Sequence, residues 1–335
     1  LAFFFQLGND AVIASTVETF PPAKLNLFLE LLGKRADGFH ELQTIMVAVS
    51  RRDRLRVTRV EMPGINLQCR WAPHPSWWQS AVWDAGPAAM QMPKPHDNLV
   101  YRALDEFTKR FSYKGGFHVE LEKRIPAGAG MGGASSDAAA ALQCAATLTG
   151  VCLDDSRLHA LAAELGSDVP FFLGIPDQDG SNPSGSCYVL ATGRGERLAA
   201  IPGPRACHFV VVYPPQPLAT ALVYRHCQIP KVSHDVQRTL DGLKSGRRDR
   251  LAQACFNRLA QPAASLSTWI ECTLASLRRW GLSGVTMTGS GSACFGIAPS
   301  ARVAKRVAAA LWNQRAGVSF YATPAPLPNY IRKMT

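Results

Sequence analysis

The chain predicts a two-domain α+β protein built on mainly antiparallel sheets. Three features of its 335 residues carry that expectation. Strand and helix patterns recur without the regular β-α-β-α rhythm of a doubly wound sheet. The strand read at 117–122, Phe-His-Val-Glu-Leu-Glu, alternates apolar and polar residues, which suits a half-exposed antiparallel strand; a central parallel strand is continuously apolar. Two loops of small residues, at 126–136 and 288–292, lie in different halves of the chain. The length allows two domains of ordinary size. The expected layout is a frayed extension at 1–17, a first domain at 18–195 and a second at 200–325.

Each element follows from local pattern. Residues 20–32 alternate as a strand, with Lys24, Asn26 and Phe28 on one face and Leu25, Leu27 and Leu29 on the other. Residues 34–40 form a polar turn around Asp37-Gly38, a hairpin signal. Strands are expected at 41–49 and 54–60. Segment 71–95 holds four of the seven tryptophans and five prolines, and reads as a long ordered insertion. Asp97 is expected to cap a helix whose apolar face carries Leu99, Val100, Ala103, Leu104, Phe107 and Phe111. Helices follow at 135–149, closed by Gly150, and at 156–165, closed by Gly166. A surface loop spans 174–187, and 188–190 returns as a short strand. In the second half, 208–213 is a strand and helical patterns fill much of 219–280. Strands at 284–287 and 293–297 flank the second small-residue loop. Ser300 caps a helix to about residue 316, and 318–322 is the last strand.

Composition bounds the function. No stretch approaches the roughly 20 apolar residues that span a bilayer, so no membrane partner is expected. The first seven residues are apolar but lack a basic flank, which argues against a signal peptide. Nine cysteines, an odd number with no Cys-x-x-Cys pair, argue against a zinc site and a disulfide framework and for reduced thiols in the cytoplasm. The net charge of +11 describes a solvated basic surface or a field that steers a polyanionic small substrate. Its two tight clusters, Arg51-Arg52-Asp53-Arg54 and Arg247-Arg248-Asp249-Arg250, are each broken by Asp. With no recognised module beside them, nucleic acid is not the expected partner.

The stretch Pro126, Ala127, Gly128, Ala129, Gly130, Met131, Gly132, Gly133, Ala134, Ser135, Ser136 carries the chemistry. Its glycines let backbone approach a ligand, and the alanine run after Asp137 starts a helix. A bare loop feeding a helix N-terminus is a phosphate site, because free N–H groups and the helix dipole face the anion. Gly128, Gly130 and Gly133 match the dinucleotide fingerprint, with Asp154 about 20 residues on, but the alternating strand before them fits it poorly. No Gly-Lys-Ser/Thr occurs, so this is not a Walker loop; no His-Arg-Asp or Asp-Phe-Gly occurs, so this is not a protein kinase. Ser135 and Ser136 are placed to cap the helix, to ligate Mg²⁺ or a phosphate oxygen, or to do both. Phosphoryl transfer also needs a cation and an acceptor-orienting base. Lys24, in an apolar strand, and Asp168, in Gly166-Ser-Asp-Val-Pro170, are the candidates. Each also has an ordinary reading, as a solvent-facing lysine and a turn carboxylate.

Together these motifs resemble those of the GHMP kinase superfamily. Pro22-Ala-Lys-Leu-Asn-Leu-Phe-Leu29 with Arg35-Ala-Asp-Gly-Phe-His40 is similar to its first motif. The stretch 126–136 is similar to its phosphate loop, 166–170 to its catalytic-aspartate motif, and Thr288-Gly-Ser-Gly-Ser-Ala293 to its third motif. Residues 35–40 point to the branch that phosphorylates the 2-hydroxyl of a cytidyl-diphosphate derivative of methylerythritol. The resemblance implies a ribosomal-protein-S5-domain-2-like N-terminal domain and a ferredoxin-like C-terminal domain. It implies ATP and Mg²⁺ as cofactors, and a monomer or weak homodimer. Asp168 would take the hydroxyl proton, and Lys24 beside it would keep it ionised, an attraction of roughly 4 kcal/mol at about 4 Å. Residues 126–136 would hold ATP, with Ser135 and Ser136 toward the metal. Asn26 would bind substrate, and Thr288, Gly289, Ser290 and Gly291 would close on the reacting groups. His40, Phe39 (where the family usually has Tyr) and Tyr224 would bind the cytosine, the two aromatics stacking on opposite faces. Two alternatives stay open from the residues alone: a kinase of the same superfamily acting on a sugar or amino alcohol, and a catalytically silent nucleotide- or nucleic-acid-binding protein.

Overall fold

The computed structural model describes residues 16–72, 92–175, 187–327 and 332–334. The tryptophan-rich insertion, for residues 73–91, and the loop at 174–187, for 176–186, lie outside the described residues, as does the extension up to residue 15.

The first half lays down β1 (Thr16–Thr19), β2 (Pro22–Lys34), β3 (His40–Arg52), β4 (Arg54–Val60) and β5 (Gly64–Trp71). Helix α1 (Leu99–Arg110), β6 (Gly116–Lys123) and helices α2 (Gly133–Thr149), α3 (Ser156–Leu165) and α4 (Val169–Leu173) follow, then β7 (Tyr188–Gly193) and β8 (Arg197–Ile201). The second half contributes β9 (His208–Tyr213), α5 (Thr220–His226), α6 (Gln237–Lys244), α7 (Arg248–Ala254) and β10 (Phe256–Asn257). It continues with α8 (Ala260–Leu266), α9 (Thr268–Arg279), β11 (Ser283–Met287), β12 (Cys294–Ala298), α10 (Ala301–Asn313), β13 (Val318–Ala322) and β14 (Arg332–Met334).

The strands form three sheets, ordered β14-β1-β4-β6-β5, β10-β2-β3-β7-β8 and β11-β12-β9-β13. The expected α+β layout holds. Pairing is antiparallel except at β5–β6 and β10–β2. The third sheet, with helices after β9 and after β12, has the βαββαβ arrangement of a ferredoxin-like domain.

The layers stack in a fixed sequence. Apolar residues of the first sheet (Val57, Phe117, Val119) and of one face of the second (Met46, Ala48, Val189) enclose helix α2 between them. This explains the alanine run: a helix buried on most sides between layers is packed best by small side chains, and Ala138, Ala139, Ala140 and Ala141 are all buried. The opposite face of the second sheet (Leu25, Ile45, Val47) meets the third sheet through Phe209, Val211 and Phe295. The far face of the third sheet is covered by α9 and α10 through Ile270, Leu277, Val307 and Leu311.

Several local expectations are corrected. The cap of α1 is Asn98, whose side chain accepts from Val100 N–H; Asp97 ends a 3₁₀ turn instead. Helix α2 begins at Gly133 with Gly132 before it in the left-handed region, so Ser135 and Ser136 lie inside its first turn and do not cap it. Strand β6 has an antiparallel neighbour, β4, but also a parallel one, β5, which was not expected; Ile65, Leu67 and Cys69 gave it the alternation of a half-buried strand. Register slips between Asn26 and Phe28 on β2, so Phe28 leaves the face of Lys24 and Asn26 and packs with Leu25 and Leu27. The cluster at 51–54 is not a solvated basic face. Asp53 is fully buried, and Arg51 and Arg52 donate to main-chain carbonyls of Arg124, Phe20 and Pro326.

Candidate active site

The glycine stretch, β2, α4, the β2–β3 hairpin and the loop after β11 converge on one cleft of about 1020 Å³. Its base is the phosphate loop. Gly128, Gly130 and Gly132 all have positive φ, which lets the chain wind tightly between β6 and α2. Gly130 is the position with no alternative: a Cβ there would lie 2.2 Å from the carbonyl oxygen of Thr288. The first helical hydrogen bond of α2 runs from Ser136 N–H to Gly132 O, so the amides of Gly133, Ala134 and Ser135 precede it.

Strand β2 supplies the reacting centre. The Lys24 N–H donates to Met131 O at 3.0 Å, tying the strand to the loop. Its Nζ donates to Asn26 Oδ1 at 2.6 Å and lies 3.4 Å from Asp168 Oδ2. Lys24 is therefore not solvent-facing. Asp168 precedes α4 and its side chain makes no capping bond, which leaves the carboxylate, about a third exposed, free to face the cleft.

Asn26 holds Lys24 in place. Its Nδ2 donates to Thr44 Oγ1 at 2.8 Å, and Thr44 Oγ1 donates to Phe28 O at 2.6 Å. Thr288 closes the ring from the other half of the chain: its Oγ1 accepts from Asn26 N–H at 3.0 Å and donates to Asn26 Oδ1 at 3.2 Å. Gly289 packs on Gly130, and Ser290 Oγ lies 2.9 Å from Thr220 Oγ1. Gly291 N–H donates to Thr288 O, closing the turn.

The cleft has two ends. One is lined by Cys69, Trp71, Met92, Asn98, Leu99 and Leu121, beside the start of α2. At the other end, beyond Asp168, stand Phe39, His40, Tyr224, Lys34, Arg194 and Arg225. The rings of His40 and Tyr224 face each other at 5.3 Å between centroids, tilted by 39°. Phe39 and Tyr224 both line this end, but the neighbour of the Phe39 ring is the Arg194 guanidinium, 4.9 Å away. Burial and the nearby Lys34 charge lower the His40 pKa. Burial, with a smaller contribution from Asp168, pushes the Tyr224 hydroxyl up.

Sequence reasoning missed a charged cluster at the junction. Lys123 Nζ donates to Asp53 Oδ2 and, at 2.5 Å, to Asp137 Oδ2; Asp53 Oδ1 accepts from the amides of Arg124 and Ile125. Burial and the Asp53 charge raise the Asp137 pKa well above the usual carboxylate range, against the pull of Lys123. Burial lowers the Lys123 pKa, but the two carboxylates more than reverse that and hold it up. The only local signals were a lysine just before the loop and an Asp among arginines. Thr44 and Arg194 were also missed, and nothing in the sequence places them at the cleft.

For a metal, Ser135 lines the cleft, while Ser136 Oγ is buried without a hydrogen-bond partner among the described residues. No group of three or more His, Cys, Asp or Glu side chains among the described residues converges to hold a metal. A divalent ion here would rest largely on a nucleotide's own oxygens, as Mg²⁺ commonly does.

Known proteins resemble this chain in sequence and in fold. The model for the GHMP kinases N terminal domain matches residues 98–174, and that for the GHMP kinases C terminal domain matches 239–316. The chain is 44% identical over 297 residues to 4-diphosphocytidyl-2-C-methyl-D-erythritol kinase of Rhodopirellula baltica, covering 85% of this chain and 88% of the relative. It is 35% identical to the kinase of the same name from Desulfitobacterium hafniense, covering 91% and 94%. A crystal structure of 4-(cytidine 5'-diphospho)-2C-methyl-D-erythritol kinase superposes with a TM-score of 0.72 at 34% identity, covering 92% of this chain and 99% of that one. Homoserine kinase from Cytophaga hutchinsonii shares the fold, with a TM-score of 0.67 at 15% identity.

Proposed function

The chain belongs to the 4-diphosphocytidyl-2-C-methyl-D-erythritol kinases of the GHMP family, and from that premise we propose how its residues divide the work. The reaction is ATP-dependent phosphorylation of the 2-hydroxyl of 4-diphosphocytidyl-2-C-methyl-D-erythritol, giving the 2-phosphate and ADP, a step of non-mevalonate isoprenoid synthesis. The observation that carries the division of roles is the Lys24–Asp168 contact of 3.4 Å, standing between the phosphate loop and the aromatic end of the cleft.

Asp168 orients the acceptor hydroxyl and receives its proton as the phosphoryl group transfers. Lys24 holds that carboxylate. At this separation the attraction is roughly 5 kcal/mol at an effective dielectric near 20, reduced because a third of the carboxylate meets solvent. Asn26 fixes the ammonium through its Oδ1 and, as part of the cleft lining, binds the acceptor. The loop 126–136 and the first amides of α2 bind the triphosphate. Ser135 and Ser136 are the residues that would hold a Mg²⁺ bound with the nucleotide, which would neutralise phosphate charge. His40, Phe39 and Tyr224 take the cytosine, while Lys34, Arg194 and Arg225 supply positive charge for its diphosphate.

The domain division at 18–195 and 200–325 belongs to the same reading, as does a monomer or weak homodimer. No nucleic acid or membrane is needed. Among the described residues no helix is long and apolar enough to cross a membrane, and an odd number of cysteines with no Cys-x-x-Cys pair fits reduced thiols in the cytoplasm.

The test is ADP release with the cytidyl alcohol in parent, Asp168→Asn and Lys24→Met enzymes. The expected result is a parent that turns over, and variants that lose about 10²- to 10⁴-fold in kcat with ATP binding largely kept. Unchanged turnover in either variant removes that residue from the mechanism.

A further inference from the structure

Asn257 lies outside the cleft lining, yet two of the three hydrogen bonds of its side chain go to the loop that meets the reacting centre, and the third goes to Leu259, two residues on. It sits on β10, the two-residue strand from the second half of the chain that pairs in parallel with Phe28 and Leu29 of β2. Its Nδ2 donates to Met287 O at 2.7 Å and to Gly289 O at 2.8 Å, and its Oδ1 accepts from Leu259 N–H at 2.9 Å. The two carbonyls flank Thr288, whose hydroxyl clasps Asn26. Asn257 itself is buried.

The anchor beneath it is rigid. Arg258 N–H donates to Leu29 O at 2.8 Å. The Arg258 guanidinium grips Glu30 with two parallel bonds of 2.7 and 2.6 Å, and Glu30 is fully buried on β2. Residues 256–258 are thereby fastened to β2 at 28–30, next to the stretch that carries Lys24 and Asn26. The loop that Asn257 holds winds through positive φ at Gly289 and Gly291, conformations open to glycine because it has no Cβ.

The geometry points to Asn257 as a positioning residue for the phosphoryl transfer: it sets the third-motif loop against β2, so that Thr288 meets Asn26 and Asn26 meets Lys24. This rests on the function proposed above. Neither substrate is expected to touch Asn257, so its effect falls on the rate of the chemical step and not on nucleotide affinity.

The experiment uses the full chain and three variants. Asn257→Ala removes all the bonds; Asn257→Asp keeps the acceptor for Leu259 but turns a carboxylate toward two carbonyls. Thr239→Val is the control, because it deletes a buried bond to Ala254 O in α6–α7 without touching the loop. Steady-state kinetics, ADP affinity and amide hydrogen exchange of 286–293 are measured well below each melting temperature. Both Asn257 variants are expected to lose about 30- to 100-fold in kcat, as a misplacement of about 1 Å does, with Asn257→Asp the worse. ADP affinity should stay near that of the parent, and exchange across 286–293 should rise. Thr239→Val should change neither kcat nor that exchange. The proposal is overturned if exchange is unchanged in Asn257→Ala, if kcat stays within twofold of the parent, or if Thr239→Val shows the same loss. If the parent does not phosphorylate the cytidyl alcohol, the functional reading has failed, and the exchange measurement alone decides on Asn257.

Discussion

Gly130→Ala tests how closely the phosphate loop and the third-motif loop must approach, and Gly128→Ala is its matched control. Both glycines have similar backbone conformations, with φ of +72° at Gly130 and +65° at Gly128. An alanine in that region costs about 1–2 kcal/mol at either site. They differ in the space around the new methyl. At Gly130 it would lie 2.2 Å from Thr288 O and 3.0 Å from Gly291 N, both backbone atoms that no rotamer change can move. At Gly128 the nearest atom is Pro217 Cβ at 3.6 Å, ordinary contact. Relieving the clash at Gly130 needs the two loops to part by about 1 Å to restore normal van der Waals separation. That shift would pull Thr288 from Asn26 and drag Met131, which accepts from Lys24 N–H. A misplacement of this size costs about 100-fold in rate, equivalent to roughly 2.7 kcal/mol of activation free energy. The assay is kcat at saturating ATP and acceptor, with a thermal melt of each variant. Both variants carry the backbone cost, Gly130→Ala should melt lower because the clash adds to it, and only Gly130→Ala should lose about two orders of magnitude in kcat. Equal kcat values for the two would refute the argument that loop contact, and not backbone strain, sets the rate.

Two further outcomes follow from the buried charges. The Asp137 pKa is raised, chiefly by burial, so its charged form is a cost to the fold that grows as pH rises above the usual carboxylate range. Asp137→Asn, which leaves Lys123 its Asp53 partner, should therefore melt higher than the parent at pH 8 and no higher at pH 4; a lower melting temperature at pH 8 would count against it. Glu30 is the opposite case: burial raises its pKa, but the bonds from Arg258, His234 and Leu31 outweigh that and leave it below its usual value near 4.5. The stability it lends is present above about that value and fades as pH falls through the depressed one. Glu30→Gln should destabilise the fold at pH 7, with the gap to the parent narrowing as pH falls below about 4.5 in denaturant titrations; a gap independent of pH would show that the charge is not what matters.

The elements whose signals are local were legible. Strand His208–Tyr213, strand Val318–Ala322, the hairpin at Asp37-Gly38 and the Ser300 cap stand where short-range pattern puts them. Each depends on the preferences of a few adjacent residues. Strand β10 was not legible, because two residues carry no periodicity and this pair exists only where it meets β2. The slip on β2 was invisible for a related reason: the alternation of Lys24, Asn26 and Phe28 is a property of an ideal strand, and the bulge that ends it is set by the partner strand. The tryptophan-rich insertion, for 73–91, lies outside the described residues.

The sequence by itself determined that a bare glycine loop opens a helix, that a lysine sits in an apolar strand, and that an Asp stands before a short apolar helix. Those statements need only neighbours along the chain. The tertiary structure alone decided that Lys24 and Asp168 lie 3.4 Å apart, and that Thr288 bonds Asn26 across 262 residues. It alone placed Asn257 beneath that contact and buried Asp53 against Lys123. These relations arise from sheet packing that brings the two halves of the chain together. No residue pattern along one segment encodes which distant side chain will complete its hydrogen bonds.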